Sequence, residues 1–418
     1  MLNVGHLNKG RGSQMMISKA VISGGTVFLM VAGLVAAAET SASASGAAAV
    51  VAPSPAGLAD PSIPTLPQPH CLPGQTALHA AAAGKTADGG FVYEFVIAGK
   101  VNRVPVPPSS FTPATASAAQ LAEYGFPPQP ANLTARTEWV HQFSNFKRVP
   151  LPALCLADHA NEPNRGKGRA APTLHHPAAT SQQSTPGTPI ADTWTSGNWA
   201  GTVVDNGDQY VATQGDWPQS YAVDCGCGTS DTDESTWTGL GGWNSSSLLQ
   251  EGTDMQGTPS NIFPWYEYLH QCPADNPSCN PPEIPINSLP VGGGMDVHTY
   301  TAYQASTGQT NFLVCAGGNC QSVIAYLDGS YYDGSSAEWI DERPCYGQPD
   351  GSCYNKPITN FEYNNWTGSA QNTAQNWVGL NDVGGYGVSM VNGNNQTLVA
   401  PTAYTSGSTY TDTWFQAQ

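Results

Sequence analysis

Positive charge is nearly missing from more than half of this chain. Beyond residue 190 only Arg343 and Lys356 carry it, against 23 aspartates and glutamates, so residues 191–418 have a net charge of −21 while the first 190 carry +4. Such a surface repels polyanions, which excludes nucleic acid and a stable association with an anionic membrane as functions. The same part holds only two histidines, His270 and His298. A Ser-His-Asp site therefore has little to draw on, and an imidazole base would be fully protonated in acid. The paired Asp-Thr/Ser-Gly segments of a two-aspartate peptidase are absent, as are CxxC pairs and clustered histidines, so neither a metal nor another cofactor is expected. No helix-period run occurs past residue 191, and after the N-terminal segment no apolar stretch is long enough to span a membrane.

A chain so short of cations repels itself at neutral pH and relaxes as its carboxylates take up protons, which points to acidic working conditions. The N-terminus points to export. Lys9, Arg11 and Lys19 precede the apolar run "AVISGGTVFLMVAGLVAAA", and Ala42-Ser43-Ala44 offers a small-residue cleavage site. That order is a secretory signal over 1–44, cleaved from an extracellular product. Export permits disulfides, and the ten cysteines are even in number, so a disulfide role is expected for them.

Residues 45–190 are expected to be a propeptide ending in a linker. "FVYEFVIAGKVNRVPVP" has strand character and "ASAAQLAEYGF" that of a short helix stopped by prolines. The following "AAPTLHHPAATSQQSTPGTPIADT" is rich in Pro, Ser, Thr and Ala without apolar periodicity, as an exposed, cleavable linker would be. Cations cluster just ahead of it at Arg136, Lys147, Arg148, Arg165, Lys167 and Arg169. Charge pairing with the acidic part is the expected hold of this leader on the rest.

From Trp194 onward, short period-two runs such as "MDVHTYTAYQ" and "QSVIAYL" alternate with Gly and Asn turns. The expected fold of 191–418 is all-β, an antiparallel β-sandwich, and the expected state a monomer. Strand alternation puts Leu248, Gln250 and, without a bulge, Asp254 on one face of "SLLQEGTD". It puts Trp265, Glu267 and Leu269 together in "PWYEYLH", and Ser336, Glu338 and Ile340 together in "SSAEWIDE". Each stretch sets a carboxylate or amide among apolar neighbours, which is costly unless the group has a partner or a task.

These stretches resemble the glutamic peptidases, the eqolisin family of secreted acid endopeptidases. The resemblance runs from about Ser196 to the C-terminus through "SGNWAG", "WTGLGG", "LLQEGTD", "WYEY", "AEWIDERP" and "PITNFEY", in the family's order. It implies a concanavalin-like double sheet, polypeptide substrates and a catalytic pair of Gln250 and Glu338. Trp199, Asp254, Trp265 and Glu267 fall on positions that bind substrate or support the pair. Two departures stand out: Gly241 replaces the family's usual Asp in "WTGLGG", and Tyr268 replaces a Trp. The competing readings on the same fold are a carbohydrate-binding module or adhesin with aromatic platforms, and a glycosidase using Glu267 and Glu338 about 5–9.5 Å apart.

Overall fold

Alternating β-branched, aromatic and small residues between glycine turns form most of the regular structure of the described residues as strands, because side chains on a pleated strand can bury one face or both. In the computed structural model, described for residues 62–72, 75–157, 192–257, 261–273, 279–347, 353–380, 385–406 and 408–418, helix is confined to short segments. The expected signal over 1–44 lies outside the described residues, as does the expected linker except for its last two residues, Asp192 and Thr193, which lie within β7.

The leader contributes β1 (Gln75–Leu78), β2 (Ala81–Lys85), β3 (Phe91–Ile97), β4 (Lys100–Val106), α1 (Ala118–Glu123), α2 (Leu133–Gln142), β5 (Lys147–Arg148) and β6 (Leu154–Ala157). The acidic part begins with β7 (Asp192–Ser196), β8 (Trp199–Val204), β9 (Tyr210–Pro218), β10 (Asp233–Gly241), β11 (Leu248–Gln256), β12 (Asn261–Leu269) and β13 (Ile284–Pro285). It continues with β14 (Asp296–Gln304), β15 (Gln309–Ala316), β16 (Asn319–Tyr326), β17 (Ala337–Glu342), β18 (Cys345–Gly347) and β19 (Cys353–Asn355). The last strands are β20 (Tyr363–Asn372), β21 (Trp377–Gly379), β22 (Tyr386–Val391), β23 (Thr397–Ser406) and β24 (Thr409–Trp414).

Two large antiparallel layers result. One runs β12–β11–β10–β17–β8–β22, and the other β20–β9–β14–β15–β16. The β23–β24 hairpin joins them, pairing with β22 on one side and β20 on the other. Between the layers, Thr238 and Thr299 share a hydroxyl hydrogen bond of 2.9 Å, and Trp339 Nε1 donates to Gln214 O at 2.8 Å. This is the sandwich that the alternation predicts.

The leader segment adds to the second layer. Strand β4 pairs with β16, and Phe95, Ile97 and Val104 join Tyr266, Tyr268 and Phe312 in one core cluster. Helix α1 starts from a capping box made by Ser117 and Gln120, which satisfies backbone donors at its first turn. It and α2 set Tyr124, Phe126, Trp139 and Phe143 over Tyr300 and Leu313 on the layer's outer side. Among the described residues this contact is apolar burial with an ion pair from Lys100 to Asp328 at its edge; Arg165, Lys167 and Arg169 lie outside them. Burial outweighs charge pairing here because an exposed ion pair contributes only about 0–1 kcal/mol, whereas each buried aromatic or aliphatic side chain contributes about 1.5–3.

Among the described residues there are four disulfides: Cys71–Cys155 spans 84 residues, while Cys225–Cys227, Cys272–Cys279 and Cys315–Cys320 close short loops.

Candidate active site

Antiparallel register places opposite residues on the same face, so the pairings of the first layer generate rows of side chains running across it. Glu338 of β17 pairs with Gly239 of β10, Gly239 with Gln250 of β11, and Gln250 with Glu267 of β12. One row therefore reads Glu338, Gly239, Gln250, Glu267. The next reads Ile340, Trp237, Gly252, Trp265, and the one after it Trp199, Glu342, Ser235, Asp254, Phe263. Strand β11 runs without a bulge through Asp254. All six residues singled out in the sequence thus share the outer face of one layer.

Apolar packing frames the rows. Trp199, Val203, Trp237, Trp243, Leu248, Phe263, Trp265, Leu269 and Ile340 form one cluster on this face. Trp199 meets Trp237 edge-to-face at 5.0 Å between ring centroids and stacks on Trp243 at 6.4 Å. Such aromatic pairs add about 0.5–1.5 kcal/mol beyond their burial and hold the floor of the site rigid.

The polar groups are held individually. Gln250 Nε2 donates to Glu267 Oε2 at 2.5 Å, which fixes the amide and leaves its second N–H for another acceptor. Ser235 Oγ donates to Asp254 Oδ1 at 2.5 Å, and Trp237 Nε1 donates to Glu342 Oε2 at 2.8 Å. Glu338 and Gln250 are both 0% exposed. Burial pushes the Glu338 carboxyl well above the ordinary range; the Ser336 hydroxyl pulls it back, and the charges of Asp333 and Asp205 push it up further. Ser336 lies near Glu338 without a well-formed hydrogen bond, and neither Glu338 oxygen has such a partner among the described residues. Desolvation therefore dominates and favours the protonated carboxyl.

Several contributors escaped the sequence reading. Ser235, Trp237 and Gly239 occupy the same face of β10 and carry the rows across, while Glu342 takes the Trp237 indole. Period-two alternation in "DESTWTGLGG" is the signal that would have found the β10 residues. The other face of the layer hides more carboxylates. Asp341 Oδ1 accepts from Thr236 Oγ1 at 3.0 Å and from Asn364 Nδ2 at 2.6 Å, and Asn364 Nδ2 also reaches Glu234 Oε1 at 3.1 Å. Burial and the neighbouring Asp341 push Glu234 well up; burial likewise raises Asp341 and Glu251.

One face thus brings together an aromatic cluster, a desolvated carboxyl and an oriented amide. The chain belongs to the Peptidase A4 family, whose model matches residues 197–414, and it is a glutamic endopeptidase of the eqolisin kind. Among solved structures it is similar to SCP-B, a member of the eqolisin family, in complex with the tripeptide Ala-Ile-His, at 18% identity and a TM-score of 0.42, covering 52% of this chain and 98% of that one. It is also similar to scytalido-glutamic peptidase with a transition state analog inhibitor, at 18% identity and a TM-score of 0.41 over the same shares. Comparison with curated proteins finds no match.

Proposed function

We propose that this glutamic peptidase is a secreted, acid-acting endopeptidase whose pair is Glu338 and Gln250. The observation that carries the reading is their placement: both are buried on one face, in one row, with only Gly239 between them. Two strand spacings separate their backbones by about 9.6 Å; the Trp237 ring and the Leu248 side chain crowd the face at Gly239 between them, so a peptide carbonyl and a water would reach the pair from above these side chains. Burial is what raises Glu338 in the full chain, so release of the leader, by letting water onto this face, would allow it to ionise in acid; the carboxylate then takes the proton of the attacking water and returns it to the leaving nitrogen. Gln250 offers its second N–H to the developing oxyanion, and being an amide it donates equally well at every acidic pH. Glu267 and Glu338 are three strand spacings apart, about 14 Å between backbones, which disfavours a glycosidase pair.

The domain reading that accompanies this is a cleaved signal over 1–44, a propeptide and linker over 45–190, and a peptidase domain over 191–418, active as a monomer on polypeptides. Latency of the full chain is supported by the burial of both groups and by Leu72 of the leader, which packs on the aromatic cluster of the catalytic face.

The test is hydrolysis of a denatured protein at pH 3.5 by Glu338→Gln and Gln250→Ala, with circular dichroism as the control for folding. Each should lose ~10²–10³ or more of the rate. Retention of a tenth of wild-type activity by either folded variant rejects the pair.

A further inference from the structure

Strand β10 ends at Gly241, whose φ of +83° favours glycine. A Cβ at that position would lie 2.9 Å from Asp333 Oδ1 and 2.4 Å from Ser247 O. The Asp333 carboxylate thus occupies the space that a side chain at 241 would take. Gly241 is two residues along β10 from Gly239, the partner of Glu338, or about 6.8 Å of strand.

The turn that carries Asp333 leads straight into β17. Ser335 donates to Asp333 Oδ1 twice, from its backbone N at 3.0 Å and its Oγ at 3.1 Å. Gly241 N then donates to Ser336 O at 3.0 Å, tying the same turn to the end of β10. Glu338 follows two residues later. The charged groups acting on it are Asp333 from this turn and Asp205 from the end of β8, where Asn244 Nδ2 donates to Asp205 Oδ2 at 2.5 Å. Glu267 stands at the far end of its row, beyond Gln250. Arg343 donates to Gly197 O and Lys356 pairs with Asp231.

We propose that Asp333 is a positioning residue for the peptidase reaction: it fastens the turn that delivers Glu338 and stands over Gly241 as a second carboxylate of the site. The inference rests on Glu338 being the acid–base group. Its consequence is electrostatic as well as mechanical. A negative neighbour makes ionisation of Glu338 harder, so Asp333 sets the pH below which the base is lost.

Asp333→Asn separates the two parts, since an amide oxygen still accepts from Ser335 while the charge is gone. The acid limb of kcat/KM should move down by about 0.5–1 pH unit, the order of the effect of one nearby charge on a carboxyl. Asp333→Ala should show the same shift together with a lower kcat, and Asp333→Glu should restore the limb. Glu338→Gln is assayed alongside. An unmoved limb in Asp333→Asn with an inactive Glu338→Gln overturns the inference and leaves the catalytic reading intact; a lowered kcat with an unmoved limb overturns it equally. An active Glu338→Gln overturns the catalytic reading itself. Should Asp333→Asn fail to fold, Asp333→Ser keeps a turn acceptor without the charge, and the same limb is read.

Discussion

Glu338 and Gln250 face one another across a strand that has no side chain at the crossing point: Gly239 pairs with both, on β17 and on β11. A Cβ at 239 would come within 2.9 Å of Trp237 Cζ3 and 3.0 Å of Leu248 Cδ1. Gly239→Ala should therefore cost about 1–3 kcal/mol through overpacking, and Gly239→Val should remove activity by displacing Trp237 and Leu248, which crowd the crossing point between the pair. Urea unfolding and kcat/KM of the two variants measure this. A fully active Gly239→Val would mean that the reacting carbonyl lies elsewhere.

The Gln250 amide owes its orientation to Glu267. Removing that acceptor with Glu267→Ala should lower kcat about 10–100-fold, the range for one hydrogen bond to a charged group, with KM changed far less. Equal kcat in wild type and variant would assign Glu267 to substrate binding alone.

Buried carboxyls make stability fall as pH rises. Glu234, Glu251, Glu338 and Asp341 all have folded-state values raised above the unfolded ones, chiefly by burial. The folded state then binds more protons than the unfolded state, so their contribution is fully present below about pH 4 and is lost as pH climbs through the raised values. Thermal melting should show Tm decreasing from pH 4 to 7. Glu251→Gln, neutral at every pH, should flatten that slope, and an unchanged slope would take Glu251 out of the account.

Inhibition follows from the proposed chemistry. A water activated by a glutamate, with an amide for the oxyanion, involves no nucleophilic serine, no aspartic dyad and no metal. Activity should survive pepstatin, serine-directed reagents and chelators, and loss of activity in EDTA would point to a metal mechanism.

Activation is the remaining prediction. Full-length protein should be latent at pH 7 and convert at pH 3–4 to a species of about 220–250 residues through cleavage in the Pro/Ser/Thr-rich linker. Because Leu72 packs on the catalytic face and Cys71 is tied to Cys155, Leu72→Asp should raise the activity of the uncleaved chain. Mass spectrometry joined to an assay at each pH decides it: an unprocessed wild-type chain that is fully active at low pH ends the propeptide idea.

The strands and their faces were legible in advance because alternation is a local property. A residue two positions from Trp265 or Ile340 must share its side of a strand, which is how Glu267 and Glu338 could be placed among apolar neighbours. The leader's helix at "ASAAQLAEYGF" was equally readable, and its N-cap, Ser117, is local chemistry too. Its hold on the acidic part was not. Charge, visible as composition, pointed to ion pairing, but side chains such as Phe95 and Trp139 turned out to find apolar partners on the second layer.

What the sequence determined by itself is the all-β class, the acidic balance, the family through its ordered motifs, and six candidate residues that share one face. Only the tertiary structure decided which of them stand together. Register between strands that are far apart in sequence aligns Glu338 with Gln250 across Gly239, and a turn almost a hundred residues downstream of β10 brings Asp333 over Gly241. Alternation specifies a face but not a row, since sliding a strand by two residues preserves every face and changes every neighbour. The row is fixed only when both layers pack and one register buries the tryptophans.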